Sequence, residues 1–340
     1  MVRFLPDEFL ILRHLACYHS NIGGGSKSLS LSIKGFKISI NSSIKFTTKL
    51  MSRQHMSNGE RVVRVGHSPD PDDAFMFHAL TTGIIDTPGF KFEHVLLDIE
   101  TLNKKAIAEE YEVSAVSIHA FPEISDKYSL MNCGASMGEG YGPMLVSSSS
   151  MTLEEACSKP IAIPGLKTSA HLALKMAVGN VETVIVPFDE IMPRIQNGEF
   201  ASGVIIHEGQ LTWESHGMNL ILDLGVWWNE KTNGLPLPLG GNVVRKDLGP
   251  QLCEQITDWV KQSIEVAILN PDEALEFARQ WGRGIDEETN SKFVQMYVNS
   301  RTIDFGDDGR ESIVKFLTEG KDIGMINKDF DPKSIEFIGA

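Results

Sequence analysis

From Arg61 onward, short runs of β-branched and aliphatic residues alternate with longer stretches in which apolar positions recur every three or four residues. That alternation marks strand-helix units feeding a largely parallel sheet, because each crossover helix returns the chain to the end from which it set out. Val62-Val63-Arg64-Val65 predicts a strand, followed by a turn and a helix near Asp73 to Thr81. Phe90 to Leu96 alternates with the period of two that a pleated strand imposes, and Thr101 to Glu110 reads as helix. Ala115 to Ile118 predicts a third strand. Pro160 to Pro164 then leads into a helix from about Thr168, Thr183 to Pro187 predicts a strand, Asp189 to Asn197 a helix, and Gly203 to His207 a further strand.

After Leu220 to Leu224, the passage Leu235-Pro236-Leu237-Pro238-Leu239-Gly240-Gly241 holds too many breakers for an element interior and is expected to cross between two bodies. The tail is mainly helical over Leu252 to Leu269, Pro271 to Trp281, Glu287 to Asn299 and Gly309 to Gly320, with Pro271 suited to a first helical turn. A chain of 340 residues also exceeds the roughly 250–300 at which single cores divide. The expectation is an α/β fold of two lobes. Residues 62–158 with 241–340 form lobe 1, residues 159–240 form lobe 2, and the cleft between them is the favoured ligand site.

Charge changes the picture at the N-terminus. The chain carries 31 basic and 45 acidic residues, a net charge of −14, which argues against a nucleic-acid partner. Residues 1–61, however, hold nine basic and only three acidic residues and are rich in Ser, Lys and Gly. This leader is expected to be disordered. Asp7, Glu8, Arg13 and His14 interrupt the apolar run that a secretory signal requires, and His14 spoils the lipoprotein-like Leu15-Ala16-Cys17. An over-long start, with Met51 or Met56 as initiator, is preferred to an organelle transit peptide. Four scattered cysteines, Cys17, Cys133, Cys157 and Cys253, form no CxxC pair and suggest neither a zinc knuckle nor a disulfide framework. No run approaches the roughly 20 apolar residues of a membrane span. A soluble, cytoplasmic protein is expected.

Three turns carry candidate chemistry. In Ser68-Pro69-Asp70-Pro71-Asp72-Asp73, Asp72 is expected to cap the following helix and Asp73 to favour its positive end, leaving Ser68 as the better ligand contact. In Pro164-Gly165-Leu166-Lys167-Thr168-Ser169-Ala170, small residues at a helix start offer free N–H groups to an anion, although a simple Thr or Ser cap explains the same pattern. The apolar strand Val204-Ile205-Ile206 ends in His207 and Glu208. His207 at a strand tip is either a general base facing the cleft or a hydrogen-bonded edge residue, while strict alternation would turn Glu208 away from it. Trp213 and Trp227-Trp228 read as packing rather than as a ligand pocket. There is no GxGxxG after a strand, no P-loop, no GxSxG and no HExxH.

Several ordered motifs nevertheless resemble one family. Ser68-Pro69-x-Pro71-x-Asp73, Asp98-Ile99-Glu100-Thr101-Leu102-Asn103, Ile205-Ile206-His207-Glu208, Leu222-Asp223-Leu224-Gly225-x-Trp227-Trp228, Leu235 to Gly240 and Met296-Tyr297-Val298-Asn299 are similar to the 1,4-dihydroxy-6-naphthoate synthases of the futalosine menaquinone pathway. The resemblance spans about Val62 to Gly320. It implies a periplasmic-binding-protein-like type II fold and a lyase that cleaves cyclic dehypoxanthinyl futalosine to 1,4-dihydroxy-6-naphthoate and a sugar-derived fragment, with no metal and no organic cofactor. The family's general base falls on His207, and its substrate contacts fall on Asn103, on Ala115, Val116 and Ser117, and on Ser169 and Ala170. The expected partner is a small anionic molecule; charge and the lack of a long apolar run point to neither nucleic acid nor membrane, and a homodimer is left open. The family usually has Cys and Asn where this chain has Asp70 and Asp72, and Thr where it has Ala74. Chorismate dehydratase, from a sister family of the same fold, and a non-catalytic solute-binding protein for a small anion are the alternatives.

Overall fold

The computed structural model describes Leu29–Ile33, Phe36–Ile40 and residues 60–339 apart from 282–285. Strands β1 (Leu29–Ile33) and β2 (Phe36–Ile40) pair antiparallel in a unit of their own. No strand was expected there, although Leu-Ser-Leu-Ser-Ile and Phe-Lys-Ile-Ser-Ile both alternate at period two. The remaining expectations for residues 1–61 fall outside the described residues.

The second unit holds two sheets. Its strands are β3 (Arg61–His67), β4 (Phe90–Leu96), β5 (Val113–Ser117), β6 (Tyr128–Met131), β7 (Ser136–Gly138), β8 (Met144–Ser147), β9 (Ile161–Ile163), β10 (Thr183–Ile185), β11 (Ser202–Ile205), β12 (Asn219–Asp223), β13 (Leu237–Arg245) and β14 (Phe337–Ile338). One sheet runs β14-β6-β13-β5-β3-β4, with β7 alongside β13; the other runs β10-β9-β11-β8-β12. The parallel core expected from the strand-helix pattern is present, since β3 lies between β4 and β5, and β9 between β10 and β11. Both sheets are nevertheless mixed. Strand β13 runs antiparallel to β5, β6 and β7, and β8 runs antiparallel to β11 and β12. These antiparallel strands are where the chain changes sheets, first between β7 and β8 and again between β12 and β13. Met144–Ser147 therefore belongs to the second sheet, so the first crossing falls at residues 139–143 rather than near 159.

The Pro- and Gly-rich passage is not a bare crossing segment. Leu237 to Gly241 begins the nine-residue strand β13. Proline lacks an N–H and needs a place where none is required. Pro238 has one, because β13 meets only β7 at this point, across a register shift, and gains β5 from Gly240 onward. The first crossing has its own steric demand: a Cβ on Gly225 would collide with the Tyr141 carbonyl.

Burial explains how the sheets are held. Val63 and Val65 are buried on β3 and pack with Met76 and Phe77 of the Pro71–Thr81 helix and with Trp259, Val260 and Ile264 of the Pro250–Leu269 helix. The Pro250–Leu269 helix thus packs back on the seven-stranded sheet. The largest cluster belongs to both lobes. Val116, Leu130 and Val243 of one sheet join Leu145, Ile163 and Val204 of the other through Leu172, Trp228 and Phe316. Trp228 is fully buried and its indole N–H donates to Pro236 O at 3.1 Å and Ser312 Oγ at 3.0 Å, which makes it packing, as expected; large apolar side chains buried this way contribute about 1.5–3 kcal/mol each. No helix among the described residues is long and apolar enough to cross a membrane.

Candidate active site

Between the two sheets lies a cavity of about 130 Å³ at the carboxyl ends of several strands, where open α/β sheets place their ligands. Each strand delivers one polar group: Ser68 follows β3, Ser117 ends β5, Ser169 opens the helix after β9, and His207 follows β11. Leu239 to Gly241 of β13 form one wall, with Phe293 and Tyr297 of the Glu287–Tyr297 helix forming another. Of the residues singled out from the sequence, Ser68, Ala115, Val116, Ser117, Ser169, Ala170 and His207 all line this space, and Asn103 does not.

Asn103 stands behind Ser117 instead. It is fully buried; its Oδ1 accepts the Ser117 N–H at 2.8 Å and its Nδ2 donates to Ser117 Oγ at 3.0 Å. With Nδ2 filling an acceptor site of Ser117 Oγ, the hydroxyl proton is left to point toward a ligand. The same Nδ2 lies 3.4 Å from Lys167 O, on the other side of the cleft.

His207 does not end a strand. β11 stops at Ile205, and His207 takes a left-handed conformation with φ of 58°. That turn corrects the expectation for Glu208, because side chains alternate only while the strand continues. Glu208 is buried and its Oε2 lies 3.3 Å from His207 Nδ1. Gly209 N–H donates to the same Nδ1 at 3.0 Å, and Phe188 packs edge-on against the ring at 4.9 Å. Nδ1 is thereby occupied, and Nε2 is the nitrogen left for a ligand.

At the Ser169–Val178 helix, Thr168 is the N-cap, accepting the His171 N–H at 3.2 Å. The Ser169 hydroxyl is already engaged: it donates to Leu239 O at 2.6 Å and accepts the His119 N–H at 3.2 Å. Its backbone N–H and that of Ala170 have no acceptor among the described residues. Those two N–H groups, at the positive end of a ten-residue helix, are the donors offered to the cavity.

The aspartate turn departs from expectation as well. Asp70 occupies the N-cap position and Pro71, lacking the N–H that a first turn leaves unpaired, takes N1, so Asp72 sits inside the helix and does not cap it. Asp73 Oδ2 accepts the Ser68 N–H at 2.8 Å, and Asp70 Oδ2 accepts the Ser68 hydroxyl at 2.8 Å. Burial, then the neighbouring aspartates, push the Asp72 carboxyl well above the usual range, and burial followed by Asp70 brings Asp73 to about 7. Gln210 was not singled out from the sequence, and Tyr297 entered only as part of the Met296–Asn299 motif, with no role in the site. The Tyr297 hydroxyl donates to Gln210 Oε1 at 2.6 Å across the cleft, and burial raises its pKa. The only sequence signal for Gln210 was its place three residues after His207, on the turn that the left-handed residue creates.

Comparison with known proteins gives this geometry a family. A family model described as menaquinone biosynthesis matches residues 63–322. The 1,4-dihydroxy-6-naphtoate synthase of Thermus thermophilus is 34% identical over 263 residues, covering 77% of this chain and 95% of that protein. Its counterpart from Streptomyces coelicolor is 29% identical over 271 residues, covering 78% and 94%. A solved protein of Archaeoglobus fulgidus is 44% identical with a TM-score of 0.75, over 78% of this chain and 98% of its own. The alkanesulfonate-binding protein of Xanthomonas axonopodis pv. citri, solved with MOPS bound, superposes with a TM-score of 0.62 over 82% of this chain and 98% of its own; at 10% identity it shows the fold alone. That fold is the two-lobed periplasmic-binding-protein-like α/β fold, here carried by a chain whose relatives are biosynthetic enzymes. The chain belongs to the menaquinone-biosynthesis family.

Proposed function

We propose that this protein is a 1,4-dihydroxy-6-naphthoate synthase, a carbon-carbon lyase acting on cyclic dehypoxanthinyl futalosine with His207 as general base. The observation that carries the reading is that one cavity brings together His207 and the two free N–H groups of Ser169 and Ala170. The N–H pair suits the substrate carboxylate, and a fixed carboxylate orients the rest of the molecule. Ser117, aligned by Asn103, donates to a substrate oxygen. His207 Nε2 takes a proton as the carbon-carbon bond cleaves and the second ring aromatises. For Nε2 to accept that proton, Nδ1 must carry the other, and Glu208 Oε2 at 3.3 Å is placed to receive its hydrogen bond. The Gly209 N–H favours the opposite tautomer, so the carboxylate must prevail when the base is active.

Incubation of the purified protein with cyclic dehypoxanthinyl futalosine, followed by chromatography and mass spectrometry, tests the reading. Naphthoate should form, and His207→Ala should lower the rate on the order of 10²–10⁴-fold, the usual worth of a general base. A well-folded wild type that forms no naphthoate would sink the assignment. Turnover of chorismate in a parallel assay would transfer it to chorismate dehydratase.

A further inference from the structure

Most hydroxyls along the cavity are spent inside the protein. Ser68 donates to Asp70, Thr168 to Gly165 O, Ser169 to Leu239 O and Tyr297 to Gln210. Gln210 keeps something in hand. It lines the cavity at 4% exposure, on the same turn as His207, whose carbonyl accepts the Gln210 backbone N–H at 3.1 Å. Its Oε1 is taken by the Tyr297 hydroxyl at 2.6 Å. Its Nε2 has no acceptor among the described residues and is not sealed within protein, so the space open to it is the cavity.

Tyr297 decides which way that amide faces. Its phenol is buried against the rings of Tyr141 at 5.6 Å and Phe293 at 5.2 Å, and its O–H needs an acceptor. An amide nitrogen accepts nothing, so Oε1 turns to Tyr297 and leaves Nε2 on the cavity side. A donor held there without water is costly until a ligand fills it. With no lysine or arginine lining the cavity, this donor is neutral and suits an uncharged oxygen such as a carbonyl, which has two lone pairs and no proton to place. The anionic end of a ligand has its own place at the Ser169 and Ala170 N–H groups. We propose that Gln210 is a substrate-contacting residue whose side-chain amide, held by Tyr297 as a positioning residue, donates to a ring ketone oxygen of the ligand beside His207. The ring ketone rests on the synthase reading, in which that ring aromatises; the free donor rests on the cavity alone.

Calorimetric titration of the full chain separates the two. The probes are 5,6,7,8-tetrahydro-2-naphthoate, which has a carboxylate and no ring oxygen, and its 5-oxo and 8-oxo derivatives, each with one ketone. At least one ketone should bind wild type about fivefold or more tighter than the parent. Gln210→Met, similar in length, and Gln210→Glu, which keeps an acceptor for Tyr297, both remove the amide N–H groups and should erase that preference. Tyr297→Phe frees the amide to turn and should reduce the preference. Parent affinity should stay within about twofold in Gln210→Met and Tyr297→Phe. A wild type without the preference, an equal fall for parent and ketone in Gln210→Met, or a preference that survives in either folded Gln210 variant overturns the assignment of Gln210 and leaves the synthase reading standing. A preference undiminished in Tyr297→Phe overturns the positioning role. A Gln210-dependent preference in a protein that forms no naphthoate from cyclic dehypoxanthinyl futalosine overturns the reaction and leaves the ketone contact.

Discussion

At the scale of single residues, the chemistry turns on one backbone angle. A non-glycine residue at φ of 58° costs about 1–3 kcal/mol, and His207 accepts that conformation where an extended one would have sent Glu208 to the opposite face. The strain places a buried carboxylate against Nδ1. Glu208→Gln tests what it achieves, since the amide preserves the size and an acceptor oxygen but removes the charge that stabilises a protonated imidazole. If His207 is the base proposed above, turnover of cyclic dehypoxanthinyl futalosine should fall about tenfold or more, with KM little altered, because the interaction strengthens only as the ring gains its proton. An unchanged kcat in steady-state assays would make Glu208 structural. His207 itself was legible in the sequence, as an ionisable residue ending an apolar run. Glu208 was not, because alternation along a strand carries no warning of where the strand stops.

Elements show the same division between what period reveals and what only pairing decides. β3, β4 and β5 were legible from their apolar pattern in sequence; β6, β7 and β8 are three or four residues long, too short to display a period, whereas the equally short β9 and β10 were legible from the helical patterns that follow them. β13 was hidden by Pro238, which only the local absence of a second neighbour makes tolerable. The β3–β4 pair also buries something that no pattern announced. His67 Nε2 lies 3.1 Å from His94 Nδ1, and His67 stacks on Phe77 at 4.6 Å. Burial, helped by His94, pulls the His67 pKa down to about 3, and burial pulls His94 down to about 4. A folded-state value below the ordinary 6.5 means that the unfolded chain binds the proton more readily, so stability is lost as pH falls from about 6.5 toward 3. Between pH 7 and pH 5 the wild type should lose on the order of 2 kcal/mol more than His67→Gln, read from urea unfolding at both values. Parallel losses in the two proteins would show that His67 is not held neutral.

For the whole molecule, the pattern of strands and helices announced two lobes with a cleft, but contacts across the cleft depend on residues far apart in sequence and on where the chain changes sheets. Those contacts are specific. Glu100 Oε2, on the Ile99–Ile107 helix of the seven-stranded lobe, accepts the Lys167 N–H at 3.1 Å from the loop that leads to Ser169, and a Cβ on Gly165 would overlap the Glu100 carboxylate. Asn103 reaches Lys167 O, and Tyr297 meets Gln210. Against this latch stands the core that the lobes share, which opposes wide separation. Glu100→Ala weighs one against the other. Glu100 does not line the cavity, and its loss strands the Lys167 N–H in the closed form at a cost of about 1–3 kcal/mol, whereas an open form would hydrate that group. If the lobes part to admit ligand, the closed, binding-competent fraction falls and naphthoate affinity drops by roughly tenfold or more, through faster release. If affinity is unchanged while thermal stability falls, the shared core holds the lobes together throughout, and ligand reaches His207 past the cavity rim rather than by opening of the cleft.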